Sequence, residues 1–168
     1  MADDVFGVEI VTPEQSLFAG GAVSVVLATS DGALTLLDGH TPLVGDVVPC
    51  ELKVDVPDRA QLRLAVHGGD LQVDTSPGAA AGLAEGDGPL PGLSTRVTIL
   101  AGVAELAEEI DVPRAEAARE AAAQRLADLG AGRGAAGEEA EQEVEQTEAE
   151  AALARAELRL AVAASAAA

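Results

Sequence analysis

At 168 residues the chain has room for one ordinary domain, or a small domain with an appendage. Its formal charge of −19 at pH 7, with Lys53 the only lysine beside nine arginines, excludes nucleic acid and direct binding to anionic lipid, both of which need a basic surface. Cys50 is the only cysteine and His40 and His67 the only histidines, so no internal disulfide forms and no zinc or other metal site is expected.

Hydrophobic residues make up 48% of the chain, but alanine supplies much of this, and the aromatics are Phe6 and Phe18 alone. A core of Val, Leu, Ile and Ala buries less per residue than one with aromatic anchors. No run approaches the ~20 apolar residues of a membrane span, and the N-terminus lacks a basic-then-apolar signal pattern. The expectation is a soluble intracellular protein without lipid insertion.

Residues 5 to about 105 read as short strands broken by turns. Val5 to Val11 alternates until Thr12-Pro13 stops it, because a residue before proline is pushed toward extended geometry. Leu17 to Thr29 holds a Gly20-Gly21 interruption and then a Val-rich run, Val23 to Leu27. Ser30-Asp31-Gly32 marks a turn before a strand from Ala33 to Leu37. Further strands are expected at 44–48, 51–56, 61–67, 71–74 and 96–101, with turn signals at Pro57-Asp58 and Gly68-Gly69. Many short strands at this spacing, with no helical period between them, indicate an antiparallel sandwich or barrel. Thr75 to Thr95 breaks the rhythm: it is rich in Gly, Pro and Ala where a hairpin needs only ~2–5 residues. It reads as a mobile surface insertion with no function of its own.

After Ile110 the period changes. Asp111 is a good N-cap, Pro113 is tolerated in the first turn, and Ala-rich sequence runs to Leu129. Gly130 stands where a helix terminator belongs, followed by Gly132, Gly134 and Gly137. A second helix is expected from about Glu138 to Ala164, glutamate-rich at its start, with Arg155 and Arg159 late, a polarity that suits the helix dipole. The fold class expected is therefore α+β, an N-terminal antiparallel β-sandwich over 1–108 followed by an antiparallel helical hairpin over 109–168. The hairpin's apolar stripe, mostly alanine with Leu126, Leu129, Leu153 and Leu160, gains helicity but little packing. A pair held so weakly can undock at low cost.

Catalytic motifs are missing. There is no phosphate loop of the Gly-x-x-x-x-Gly-Lys-Ser/Thr kind and no Gly-x-Ser-x-Gly, and two histidines leave few members for a triad. The carboxylates lie mostly on an exposed helix face, where reading two as a glycosidase pair is unsupported. The chain itself is expected to be non-catalytic.

An ordered set of segments points to a family. Val11-Thr12-Pro13-Glu14, Phe18-Ala19-Gly20, Asp31-Gly32-Ala33-Leu34 and Gly39-His40-Thr41-Pro42-Leu43 are followed by Val66-His67-Gly68-Gly69, Leu71-Gln72-Val73 and Val97-Thr98-Ile99-Leu100-Ala101. Ala104-Glu105, Ile110-Asp111 and Arg114-Ala115 come next, before the Ala-rich hairpin. Over nearly its whole length the chain resembles the epsilon subunit of bacterial F-type, proton-translocating ATP synthases.

That resemblance implies a non-catalytic rotor subunit, peripheral on the cytoplasmic face of the bacterial membrane. Its sandwich would be bound to the gamma subunit and rest on the ring of c subunits. Contact to gamma or the c-ring falls on Thr12, Gly32, Ala33, His40 and Pro42, with the Gly32-Ala33 turn and the His40 loop at the end nearest gamma and the ring. Relatives often carry an acidic residue in place of Ala33, so one polar contact is lost here. The plainer reading of His40, a loop histidine bonded to nearby backbone, is compatible with that role. Gly39 and Pro42 are shape-setting residues.

The family's hairpin can extend toward the alpha/beta catalytic head, make transient contact with it, and block ATP hydrolysis. In some relatives the folded hairpin binds ATP as a regulatory ligand; no cofactor is required. The matching positions are Glu105, Asp111, Arg114, Ala115, Arg155 and Arg159. Arginine forks suit phosphates and acidic groups suit base or ribose. Capping explains Asp111 and the dipole explains Arg155 and Arg159, whereas Arg114 faces the positive helix end and calls for an anion, for which Glu105 and Glu109 are at hand. The inhibitory contact in relatives uses basic helix residues, and the acidic first half of the second helix leaves Arg119, Arg125, Arg155 and Arg159 for it. Two readings compete with the rotor subunit: a free-standing ATP-sensing module and a generic sandwich-plus-hairpin scaffold.

Overall fold

The computed structural model describes residues 5–76, 84–85, 88–89, 95–131 and 139–167. The chain divides into two compact units between Ala107 and Glu108, one of strands and one of helices.

In the first unit β1 (Phe6–Val11), β2 (Ser16–Ala22), β3 (Ser24–Thr29), β4 (Gly32–Leu36), β5 (Leu43–Val47) and β6 (Cys50–Asp55) follow in order. Then come β7 (Leu62–Val66), β8 (Gly69–Asp74), the two-residue strands β9 (Ala84–Glu85) and β10 (Gly88–Pro89), β11 (Arg96–Ala101) and β12 (Ala104–Leu106). β9 and β10 pair with each other, inside the expected 75–95 insertion; residues 77–83, 86–87 and 90–94 of it lie outside the described residues. The other strands form one sheet in the order β12-β7-β6-β3-β5-β8-β11-β1-β2, with β4 on β3. β3 meets β5 at a single pair, Thr29 with Val47, and the sheet folds over there into two layers. All pairings in that sheet are antiparallel except β1 with β11, which is parallel and departs from the all-antiparallel expectation.

Alternation explains the core. Phe6, Val8 and Ile10 of β1, Val97 and Ile99 of β11, and Leu71 and Val73 of β8 point inward from one layer. Val25, Leu36, Leu52, Val54, Leu64 and Val66 meet them from the other. Each full burial contributes roughly 1.5–3 kcal/mol. Gly20-Gly21 does not interrupt a strand: both glycines lie within β2, opposite Val8 and Gly7, and the break comes at Val23.

Two connections cross between the layers side by side. His67-Gly68 leads from β7 to β8, and Gly102-Val103 from β11 to β12. The Gly102 N–H donates to the Gly68 carbonyl (3.2 Å) and the His67 N–H to the Val103 carbonyl (3.0 Å). Gly68-Gly69 is thus a layer crossing and not the hairpin turn expected. Gly69 has to be glycine, because a Cβ there would lie 2.3 Å from the Leu100 carbonyl oxygen. β12 was not expected as a strand; three residues are too few for a period to show.

This topology defines two ends. At the crossing end lie Thr12, Gly32, Val47, Gly69 and Ala101; at the far end lie Phe6, Leu36, Leu43 and Thr95. Asp55, at the far end of β6, accepts hydrogen bonds from the Ser24 hydroxyl and, at 2.7 Å, from the Gln61 amide. Those two donors hold its carboxyl below the ordinary 3.8.

Gly69→Ala is expected to destabilise the full chain by about 2–4 kcal/mol in chemical denaturation, while Gly102→Ala, which meets open space, changes stability by about 0.5 kcal/mol or less. A depressed folded-state pKa gives stability that is present above the ordinary value and lost as pH falls through the folded one. Asp55→Asn is therefore less stable than the parent near neutrality, and denaturation titrated over pH should show that gap closing below pH 3.8.

Candidate functional site

α1 (Val112–Gly130) begins as the sequence predicts: Asp111 is the N-cap, and its carboxylate accepts from the Arg114 N–H at 3.0 Å. Pro113 sits in the first turn, where no intrahelical donor is needed. Gly130 is the last helical residue and not the terminator; the cap is Ala131, whose N–H reaches the Ala127 and Leu129 carbonyls. The linker glycines Gly132, Gly134 and Gly137 lie outside the described residues, and α2 runs Glu139–Ala166.

The buried residues of the two helices are mostly alanine, with Val162 of α2 also fully buried. Ala115 and Ala122 are buried on α1, and Ala149 and Ala156 on α2, each pair seven residues apart. A seven-residue spacing returns to nearly the same face of a helix, so these are two facing stripes. Leu129, seven residues after Ala122, continues the α1 stripe, and Leu126, Leu153 and Leu160 come four residues after buried alanines; all four are half-exposed. Small side chains let helices approach near the short end of the usual ~8–10 Å separation but bury little area.

Beside the seam runs a groove of 340 Å³, lined by Ala118, Ala121, Ala122 and Arg125 from α1 and by Glu145, Glu148, Ala149 and Ala152 from α2. An ion pair between Arg125 and Glu145 spans it near the linker end. The lining continues in both helices toward the other end. Arg114 precedes Ala118 by four residues and Arg159 follows Ala152 by seven, so both continue the groove's stripes, whereas Arg155 lines an adjoining groove on α2 with Glu143, Val144, Thr147, Glu148, Ala151 and Ala152. Since Arg125 meets Glu145 and Ala122 lies beside Ala149 in an antiparallel pair, Arg114 falls level with residues near 156. Arg114, Arg155 and Arg159 thus fall at one end of the hairpin, with Asp111 at that end. Arg114 and Arg155 are exposed and Arg159 half-exposed. No acidic side chain pairs with Arg114 within the helical unit, among the described residues.

Two members of the expected set do other things. Ala115 is buried in the stripe and sets the approach of the helices. Glu105 belongs to the strand unit, on β12 opposite Ala65. Arg125, counted among the cations for the catalytic head, is engaged by Glu145.

The second expected set is divided. Thr12, nearly buried, closes a turn in which its hydroxyl accepts the Gln15 N–H at 3.2 Å and its own N–H reaches the Gln15 carbonyl at 2.9 Å. Thr12, Gly32 (φ +125°) and Ala33 are at the crossing end. His40 and Pro42 are at the far end, where the Gly39 N–H donates to the buried Thr95 hydroxyl at 2.9 Å and His40 Nδ1–H donates to the Thr41 carbonyl at 2.8 Å. β4 separates the two groups by about 17 Å, at ~3.3 Å per residue, so they do not share one end.

The family descriptions for the ATP synthase Delta/Epsilon chain match both units: the beta-sandwich domain over residues 5–76 and the long alpha-helix domain over 108–164. The ATP synthase epsilon chain of Thermobifida fusca is 38% identical over 117 residues, covering 68% of this chain and 72% of that one. That of Brevibacillus brevis is 34% identical, covering 72% and 77%, and that of Streptomyces griseus 33%, covering 73% and 89%. The chain belongs to the ATP synthase epsilon chain family. A chain of the Euglena gracilis mitochondrial ATP synthase structure (OSCP/F1/c-ring) is 18% identical with a TM-score of 0.66, covering 94% of this chain and 80% of that one, and shows the same fold. Among the described residues no helix of this epsilon chain is long and apolar enough to cross a membrane.

The groove and the Arg125–Glu145 pair were not singled out from sequence. The seven-residue recurrence of Ala115 and Ala122, and of Ala149 and Ala156, was the signal available. If alanine sets the helix separation, Ala122→Leu destabilises the helical unit by about 1–3 kcal/mol, whereas exposed Ala123→Leu shifts it by about 0.5 kcal/mol or less. Thermal unfolding of the full chain followed by helical circular dichroism checks this.

Proposed function

We propose that this epsilon chain is a non-catalytic rotor subunit. In this reading its strand unit joins the gamma subunit to the c-ring on the cytoplasmic face of the membrane, and its hairpin is an ATP-responsive brake on hydrolysis. What supports the second half is that Arg114, Arg155 and Arg159 fall at the same end of the helical pair, with Arg155 lining a groove on α2. Arginines gathered at one end of a hairpin draw an anion toward them. A triphosphate supplies that anion, with fork-shaped donors matched to its oxygens.

Binding and braking follow from the same weakness. Alanine stripes give the hairpin little packing energy of its own, so a ligand bridging α1 and α2 stabilises the folded form by mass action. Without it, the helices separate and extend toward the alpha/beta head. Nothing in this role asks the chain to cleave a phosphate bond: arginines that hold a nucleotide supply neither a nucleophile nor a base.

Calorimetric titration of the full chain with Mg-ATP tests the site. Saturable binding is expected, weakened about 10-fold to 100-fold in Arg114→Ala and in Arg155→Ala, since one hydrogen bond to a charged group is worth roughly 1.5–3 kcal/mol. No heat up to millimolar ATP would overturn the ligand-gated brake and leave a coupling subunit.

A further inference from the structure

The loop from Leu37 to Pro42, between β4 and β5, is exposed along its length except for half-buried His40. Its own hydrogen bonds are local. The His40 N–H donates to the Leu37 carbonyl at 3.2 Å, and His40 Nδ1–H donates to the Thr41 carbonyl at 2.8 Å. Gly39 makes the turn at φ +73°, where a side chain is disfavoured. Such bonds shape a turn but leave it free to swing about its two strand ends.

A further bond ties the loop to the body of the fold. The Gly39 N–H donates at 2.9 Å to the hydroxyl of Thr95, 56 residues away in sequence. Thr95 is fully buried, and its carbonyl accepts from the Gly7 N–H at 2.9 Å, beside the first pair of the parallel β1–β11 ladder. One residue therefore grips β1 with its backbone and an exposed loop with its side chain. Among the described residues Thr12 and Thr95 are the buried polar ones, and Thr12 uses its hydroxyl within its own turn. A buried hydroxyl costs stability unless it is bonded, and valine would fill the same space without that demand. The fold by itself has no need of threonine here; the Gly39 amide does. The β-branched side chain has few χ1 choices, so the acceptor is held where that amide meets it.

We propose that Thr95 is the positioning residue of the His40 loop. It fixes the loop, and with it His40 and Pro42, to β1 and β11, so that a load applied at the loop passes into the packed core and is not lost in a swinging turn. The segment 75–95, which shows no role of its own in sequence, has one at its last residue. The proposal rests on the rotor reading in one respect, that this loop meets the gamma subunit or the c-ring.

Hydrogen exchange of the full chain, read amide by amide, tests the positioning without any partner. Thr95→Val keeps the volume and removes the acceptor, so the Gly39 amide is expected to exchange about tenfold faster or more, while Val97 and Ile99 of β11 change by about threefold or less. Thr95→Ser keeps the hydroxyl and restores most of the protection. Parent-like protection of Gly39 in the valine variant overturns the proposal. Loss of protection along the whole of β11 overturns it too, because Thr95 would then serve the fold and not the loop. The functional readout is affinity for a gamma–c-ring complex of the same synthase. Thr95→Val weakens it about tenfold, Thr95→Ser about threefold or less, and Thr95→Val added to His40→Ala weakens it no further, since both changes act on one contact. Unchanged affinity in a valine variant whose Gly39 amide is freed overturns the part that fixing the loop plays in that contact. A parent chain that does not bind the complex overturns the rotor reading, while the exchange result still decides the positioning.

Discussion

Two helices that meet through alanine can come close, but they gain little by doing so. Ala115 and Ala122 face Ala149 and Ala156 across the hairpin, and the leucines are half-exposed. An alanine side chain offers about one methyl group of burial, ~0.8 kcal/mol, against roughly 1.5–3 kcal/mol for a buried leucine. The strand unit has no such poverty: Phe6, Ile10, Leu36, Leu52, Leu64, Leu71 and Ile99 are all fully buried in one core. One chain therefore carries a well-packed body and a loosely packed appendage.

That contrast shapes the site. The narrow seam leaves a groove along one flank, and the stripes that line it run on to Arg114 and Arg159, with Arg155 on an adjoining groove of α2. A site whose two halves sit on separate, weakly joined helices exists only while they are together. Ligand and conformation are then linked, since whatever binds across the pair opposes its opening. The Arg125–Glu145 pair adds register near the linker end, where alanine alone specifies little. It also withdraws one of the few cations of a very acidic unit from other work.

Much of this could be read from the residues. Alternation located β1, β5 to β8 and β11 to within a residue or two, and Asp111 with Pro113 located the start of α1. What failed was whatever depends on partners distant in sequence. Nothing local in Gly68-Gly69 says that β7 and β8 belong to different layers, because a glycine pair marks a sharp change of direction in either case. The parallel partnership of β1 with β11, nearly ninety residues apart, left no trace in either strand's pattern. The family resemblance put the Gly32 turn and the His40 loop at one end, yet β4 lies between them. In the hairpin, a stripe mostly of alanine was legible, but not which of its alanines would be buried.

The central claim is that the helical unit is held much more weakly than the strand unit. Native-state hydrogen exchange of the full chain without nucleotide tests it most directly. The account predicts that amides of α1 and α2 exchange through openings several kcal/mol below those of β1, β8 and β11, with the helices opening as one group. Equal protection in both units would contradict it, since a seam of alanine could not then be what limits the hairpin.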